Sequence, residues 1–149
     1  MAFSSVHEMI DLCKESGKPL YEVILESDLA ESGLTRAESE AEMHRLWAVM
    51  QATSDGYCGA DRSMSGFAGG DAAKVNAAAA RGVLYADGYF ADVMAEALKT
   101  AECNACMKRI VAAPTAGSCG VLPAVLLPLA RAGEADEEAV CEALYVAAG

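Results

Sequence analysis

Two stretches of this 149-residue sequence combine glycine, hydroxyl side chains and a helix start. The first is Ser63-Met64-Ser65-Gly66-Phe67-Ala68-Gly69-Gly70-Asp71, leading into a helical pattern over 72–81. The second is Ala113-Pro114-Thr115-Ala116-Gly117-Ser118-Cys119-Gly120, which opens onto an apolar run over 121–130. At a helix start the first backbone N–H groups have no partner within the helix, and the helix dipole favours an anion beside them. Glycine lets a ligand approach the backbone, and the hydroxyls of Ser63, Ser65, Thr115 and Ser118 add donors. Neither stretch is a G-x-x-x-x-G-K-[ST] phosphate loop, and no strand precedes either one as a dinucleotide site requires. A small carboxylate is therefore the more natural guest. The competing reading makes each stretch a tight helix–helix connection closed by capping residues.

Asp71 stands where a helix cap belongs. Lys74 is one turn further on and shares its face, either to hold a substrate carboxylate or as a solvated lysine. Cys103-Asn104-Ala105-Cys106 is a lone C-x-x-C on helical sequence, with both thiols on one face. Metal binding and redox chemistry both use that spacing. No histidine lies near and no strand precedes it, so two small thiols buried in an alanine-rich core compete as an explanation. Cys119 differs because it sits at a helix start, where a thiolate is stabilised. The remaining cysteines are Cys13, Cys58 and Cys141. In a reducing compartment all six read as free thiols or ligands rather than as a disulfide framework. His7 and His44 fall among charged neighbours and read as surface residues.

The elements that must position these groups are helical. Ser5 with Glu8, and Thr35 with Glu38, are capping-box spacings. Gly17 ends the first helix near Ser16, and Pro19 marks the start of a second whose stripe is Leu20, Val23, Ile24 and Leu25. The third carries Met43, Leu46, Trp47 and Met50 on one face and Glu38, Glu42 and Arg45 on the other. Further helices are expected over 72–81, from Tyr89 to Thr100 and on to Cys106, over 121–130, and within 134–149. The residues are 54% hydrophobic but only 6% aromatic, with alanine the commonest. Such a core suits closely packed helices better than paired sheets. The fold class expected is all-α, with two glycine-rich loops at helix N-termini. A formal charge of −11 argues against nucleic acid or an anionic membrane surface as partner. No apolar run approaches the ~20 residues of a membrane span, and the N-terminus lacks the pattern of a signal peptide, so a cytoplasmic location is expected. The almost wholly apolar segment 143–148 suggests a piece cut inside a larger core.

The stretch from Ser63 to Lys74 resembles the S-x-T-G-L-T-G-G-D-A-x-K motif of iron–sulfur L-serine dehydratase alpha chains. Glu102-Cys103-Asn104-Ala105-Cys106-Met107 and Ala113 to Pro123 are similar to that family's N-A-x-M and P-T-A-G-S-x-G-V-x-P motifs, in the same order and spacing. Ser65 keeps the hydroxyl of the family's threonine, Ala68 loses one, and Lys108 replaces a small residue. The resemblance implies that 1–149 is the N-terminal part of a helical catalytic domain deaminating L-serine to pyruvate and ammonia, within amino-acid catabolism. It also implies a 4Fe-4S cluster acting as Lewis acid on the β-hydroxyl. The family's cluster cysteines lie in G-G-C-Q-A-E-V-G and C-D-P-V-x-G-x-x-x-x-P-C motifs. Neither occurs here, so the ligands are expected downstream of Gly149, no residue of this chain is assigned to metal, and the chain alone is expected to be inactive.

The substrate-pocket residues implied are Ser65, Gly66, Gly69, Gly70, Asp71, Lys74, Asn104, Thr115, Ala116 and Gly117, with no catalytic base assigned. A beta chain or fused regulatory domain and an oligomeric state are expected as well. Two other readings remain open. One is a related deaminase or desulfidase acting on cysteine or another small amino acid. The other is a non-catalytic metal- or anion-binding helical module using Cys103, Cys106 and Cys119.

Overall fold

The helix starts read at Ser5, Pro19 and Thr35 are the ones the structure uses. The computed structural model describes residues 3, 5–84, 88–109, 111 and 120–149. Seven helices and no strand occur among them. Helix α1 (Val6–Ser16) opens with the Ser5 hydroxyl accepting the Glu8 N–H at 3.3 Å and closes on Gly17 at φ 71°. Helix α2 (Leu20–Ser32) starts behind Pro19. In α3 (Arg36–Asp55) the Thr35 hydroxyl accepts the Glu38 N–H while the Glu38 carboxylate accepts the Thr35 N–H at 2.9 Å, a complete capping box.

Helices α4 (Asp71–Ala80), α5 (Gly88–Ala105), α6 (Val121–Arg131) and α7 (Glu137–Ala148) follow. Helix α5 ends just short of Cys106, where Met107 turns the chain out at φ 59°. Helix α7 begins within the expected segment because the Asp136 carboxylate accepts the Ala139 N–H at 2.9 Å. No helix among the described residues is long and apolar enough to cross a membrane.

The core joins α3, α6 and α7 through Trp47, Met50, Leu126, Leu127, Val140, Cys141 and Leu144, with Val111 added from the segment before α6. Removing this apolar surface from water is the main force holding the three helices together. Helix α5 lies between α4 and α6 and packs most extensively against them. Ala72, Ala91 and Ala95 are buried there, and side chains of one methyl let helix axes come close. This is the packing anticipated from an alanine-rich, aromatic-poor composition.

One polar cluster, not expected from the sequence, ties α3, α5 and α6 together. Glu96 is 3% exposed and accepts from Ser54 Oγ at 2.5 Å, from Lys99 Nζ at 2.6 Å and from Arg131 at 2.6 Å. Arg131 also reaches Ser54 Oγ at 3.0 Å and Asp55 at 2.8 Å. Burial pushes the Glu96 carboxyl up. The hydrogen bonds from Lys99 and Ser54 and the charges of Lys99 and Arg131 outweigh it, leaving Glu96 below the ordinary carboxylate value.

Candidate functional site

Residues 56–70 run from α3 to α4 without regular structure. Ser63 staples this loop. Its N–H donates to the Ala68 carbonyl at 2.9 Å, and its hydroxyl accepts the Ala68 N–H at 3.1 Å. Between them Gly66 makes the turn at φ 76°, donating to the Ser63 carbonyl at 2.8 Å. Ser65 Oγ lies 3.1 Å from Ser63 Oγ and accepts the Phe67 N–H at 3.4 Å. Met64 and Phe67 project from the tip almost fully exposed.

Gly69 and Gly70 have a steric reason that differs from the expected one. At Gly69, with φ 126°, an added Cβ would lie 2.2 Å from the Asp61 carbonyl oxygen. At Gly70, with φ 87°, it would lie 2.9 Å from the Arg62 guanidinium and 3.0 Å from the Gly59 carbonyl oxygen. The close approach these glycines permit is that of the loop's own backbone. Arg62 locks the fold-back by donating to Gly59 O at 2.8 Å and Asp61 O at 2.6 Å.

The start of α4 holds a carboxylate, and it belongs to the chain. Glu102, 6% exposed near the end of α5, accepts the Asp71 N–H on one oxygen at 2.5 Å and the Tyr57 hydroxyl on the other at 2.6 Å. The Tyr57 oxygen in turn accepts the Ala73 N–H at 3.4 Å. Two donors of the first turn of α4 are thus met by residues from elsewhere in the fold, an arrangement of the kind the helix dipole favours. Burial, followed by the hydrogen bond to Glu102, pushes the Tyr57 phenol up to about 12. Asp71 does not cap the helix. Gly70 occupies the N-cap position, and the Asp71 carboxylate pairs with Lys74 Nζ at 2.6 Å on the exposed face, which holds its carboxyl below the usual range. Lys108 pairs with Asp61 and reaches the Gly56 carbonyl at 3.5 Å, a second tie between the loop and the segment after α5.

Ser65, Gly66, Gly69, Gly70, Asp71 and Lys74 therefore share one loop and the first turn of α4. Asn104 is half-buried in the last turn of α5, two residues past Glu102. Thr115, Ala116, Gly117 and Cys119 lie outside the described residues. Glu102 and Tyr57 are the residues that sequence reasoning missed. No local signal marked them, because an acidic side chain on a helix reads as solvated.

Three thiols border the same region. Cys58, Cys103 and Cys106 line a gap with Tyr57, Asp61 and Glu102 that has no room for a water molecule. Cys103 is buried, its thiol directed at the Thr53 carbonyl at 3.8 Å, and burial raises its pKa. Among the described residues no group of three or more His, Cys, Asp or Glu is arranged to hold a metal ion. His7 is exposed, and the half-exposed His44 pairs with Glu137 at 2.8 Å, so both sit at the surface as expected.

A family model described as "Serine dehydratase alpha chain" matches residues 15–149. The chain is 34% identical over 125 residues to "L-serine dehydratase, alpha chain" of Peptoniphilus asaccharolyticus, a match covering 83% of this chain and 43% of that protein. It is 29% identical over 145 residues to "Probable L-serine dehydratase, alpha chain" of Bacillus subtilis (strain 168), covering 97% of this chain and 48% of that one. The chain thus spans less than half the length of either curated relative. No solved structure matches it.

Proposed function

The chain belongs to the serine dehydratase alpha chain family, and from that premise we propose that it is the loop-bearing part of an enzyme that deaminates L-serine to pyruvate and ammonia. The reaction removes the α-proton and expels the β-hydroxide, and the aminoacrylate so formed hydrolyses. The part assigned to this chain is substrate binding. The Ser65 hydroxyl and the Lys74 ammonium, on the exposed side of the loop, donate to the serine carboxylate. Gly66, Gly69 and Gly70 give the loop the shape that presents them. Asn104 and the second motif, Thr115 to Gly117, complete the grip. Positioning of this kind lowers the barrier by ordering the substrate before reaction.

The observation that carries the reading is the Glu102 bridge. Two motif stretches far apart in sequence meet there, directly through Asp71 N–H and indirectly through Tyr57 OH, which also accepts the Ala73 N–H, so residues 63–74 and 102–108 form one assembly. Glu102 fixes the first turn of α4, and the substrate carboxylate is left to Ser65 and Lys74 beside it.

The family resemblance implies a 4Fe-4S cluster. The described residues do not fit one. Their three neighbouring thiols border a gap too small for a water molecule, and Cys103 is buried with its thiol directed at the Thr53 carbonyl. The proposal accordingly leaves cluster ligation to polypeptide beyond these residues and routes no step through it. The relatives are named alpha chains, and we take a beta chain or regulatory domain as the partner, in an oligomer.

Anaerobic assay of the full-length enzyme with L-serine and with L-cysteine tests the reading. Pyruvate from serine is the expected result. Sulfide released from cysteine with no turnover of serine overturns it in favour of a desulfidase.

A further inference from the structure

Cys58, near the start of the loop between α3 and α4, and Cys106, just past the end of α5, border one gap together with Cys103. All three are free thiols; Cys58 is exposed, Cys106 half-buried and Cys103 buried. Residues on both sides of Cys58 are joined to residues on both sides of Cys106. The Tyr57 hydroxyl donates to Glu102 at 2.6 Å, Lys108 Nζ donates to the Gly56 carbonyl at 3.5 Å, and Lys108 pairs with Asp61. The backbone is held at both cysteines. The Cys58 carbonyl accepts the Asp61 N–H at 3.1 Å, and the Cys106 N–H donates to the Glu102 carbonyl at 2.8 Å. A gap that admits no water leaves less than about 2.8 Å, one water diameter, between the surfaces of its walls. Two cysteine side chains turning about χ1 span such a space.

We propose that Cys58 and Cys106 are a redox-active pair that closes to a disulfide when a peroxide reaches the loop. Cys58 is the thiol open to solvent, so it meets the oxidant first. Its sulfur, after losing a proton to solvent, attacks one oxygen of hydrogen peroxide. The O–O bond breaks, hydroxide leaves and takes up a proton as water, and Cys58 becomes a sulfenic acid. The Cys106 sulfur then attacks the Cys58 sulfur. The S–S bond forms, the S–O bond breaks, and the second hydroxide leaves as water with the Cys106 proton. Two thiols and one peroxide give one disulfide and two waters. Cys103 is the rival partner, but it is buried and its thiol is directed at the Thr53 carbonyl of α3 at 3.8 Å. Turning it into the gap gives up that contact. The disulfide ties the loop that carries Ser63 to Gly70 covalently to the end of α5, where the thiol form relies on hydrogen bonds and the Lys108–Asp61 pair. Thiol exchange reopens it. The inference does not depend on serine as substrate.

The test treats the intact protein with hydrogen peroxide, blocks the remaining thiols with N-ethylmaleimide, digests with trypsin and reads the peptides by mass spectrometry. Trypsin separates the two cysteines, because Cys58 falls in peptide 46–62 and Cys106 in peptide 100–108. The expected product is these two peptides joined, lighter than their sum by two hydrogen atoms and released by dithiothreitol. Fragmentation of the joined species in the native sequence should place the bond on Cys106, so the assignment does not depend on a variant that folds. Cys103→Ala should keep the product, and Cys106→Ser should reduce it at least tenfold. Oxidation in urea should also reduce it at least tenfold, because the fold holds the two thiols together. Four results overturn the proposal: a bond inside peptide 100–108, a bond from Cys58 to Cys103, Cys58 oxidised with no crosslink, or a crosslink between two molecules through Cys58. Since the bond is read and not turnover, each of these leaves the serine reading standing.

Discussion

Replacing Gly69 by alanine tests whether the glycines of the loop are there for the loop itself. The new Cβ would sit 2.2 Å from the Asp61 carbonyl oxygen and 3.2 Å from Arg62 Cα, at φ 126°. The backbone conformation alone costs an L-residue about 1–2 kcal/mol. Relieving a clash of more than an ångström against backbone adds about 1–3 kcal/mol, as small-to-large changes do in packed interiors. The sum is about 2–5 kcal/mol. Gly66 is the control: φ 76° and nothing within 4 Å of its Cβ, so Gly66→Ala carries the conformational part alone, about 1–2 kcal/mol. For a chain of 149 residues the unfolding entropy is about 0.3 kcal/mol per kelvin. Thermal unfolding followed by circular dichroism should then show Gly69→Ala lowering Tm by about 7–17 °C and Gly66→Ala by about 3–7 °C. Equal shifts, or a silent Gly69→Ala, would refute the steric argument and return these glycines to a purely ligand-facing role.

Two further outcomes follow from the buried carboxylates. Glu102→Gln removes the charge that faces Asp71 N–H and Tyr57 OH, and should destabilise by about 1–3 kcal/mol in urea titration. Ultraviolet difference titration should show the Tyr57 phenol moving down from about 12 while staying above its ordinary value, because burial, the largest cause, remains and only the hydrogen bond and charge of Glu102 are lost; no movement would detach Tyr57 from Glu102. Glu96 is held below its ordinary 4.5 in the folded chain. Its contribution is therefore fully present above the unfolded pKa and is lost as pH falls through the lower folded value. The urea midpoint of the native chain should fall more steeply below about pH 4.5 than that of Glu96→Gln, and parallel curves would contradict this.

Much of the fold was legible because helix starts and stops are local chemistry. Ser5 and Thr35 with their glutamates three residues on, and Gly17 at the first helix end, depend only on neighbours in sequence, and each appears in the structure as read. The stripe of Met43, Leu46, Trp47 and Met50 likewise pointed to the core through its spacing. What was not legible depends on contacts between distant residues. Nothing local marks Glu102 as the partner of Asp71 N–H across 31 positions, or Glu96 as the meeting point of Ser54, Lys99 and Arg131. An acidic residue on a helix reads as solvated until the fold supplies its donors. The glycines read as places where a ligand approaches; that the loop's own backbone crowds Gly69 and Gly70 is a tertiary fact. The resemblance picked out the motif stretches, and the structure adds the bridge that unites two of them.

In the proposed function the substrate carboxylate is held by Ser65 and Lys74, while Glu102 occupies the Asp71 N–H at the start of α4. The most direct measurement is the KM for L-serine of the intact anaerobic enzyme carrying Ser65→Ala, Ser65→Thr or Lys74→Met. The account predicts that Ser65→Ala and Lys74→Met each raise KM about tenfold, worth about 1.4 kcal/mol, with kcat changed less than about twofold. Ser65→Thr, which keeps the hydroxyl, should retain the native KM. An unchanged KM in both Ser65→Ala and Lys74→Met would contradict the account and move the carboxylate grip off this loop.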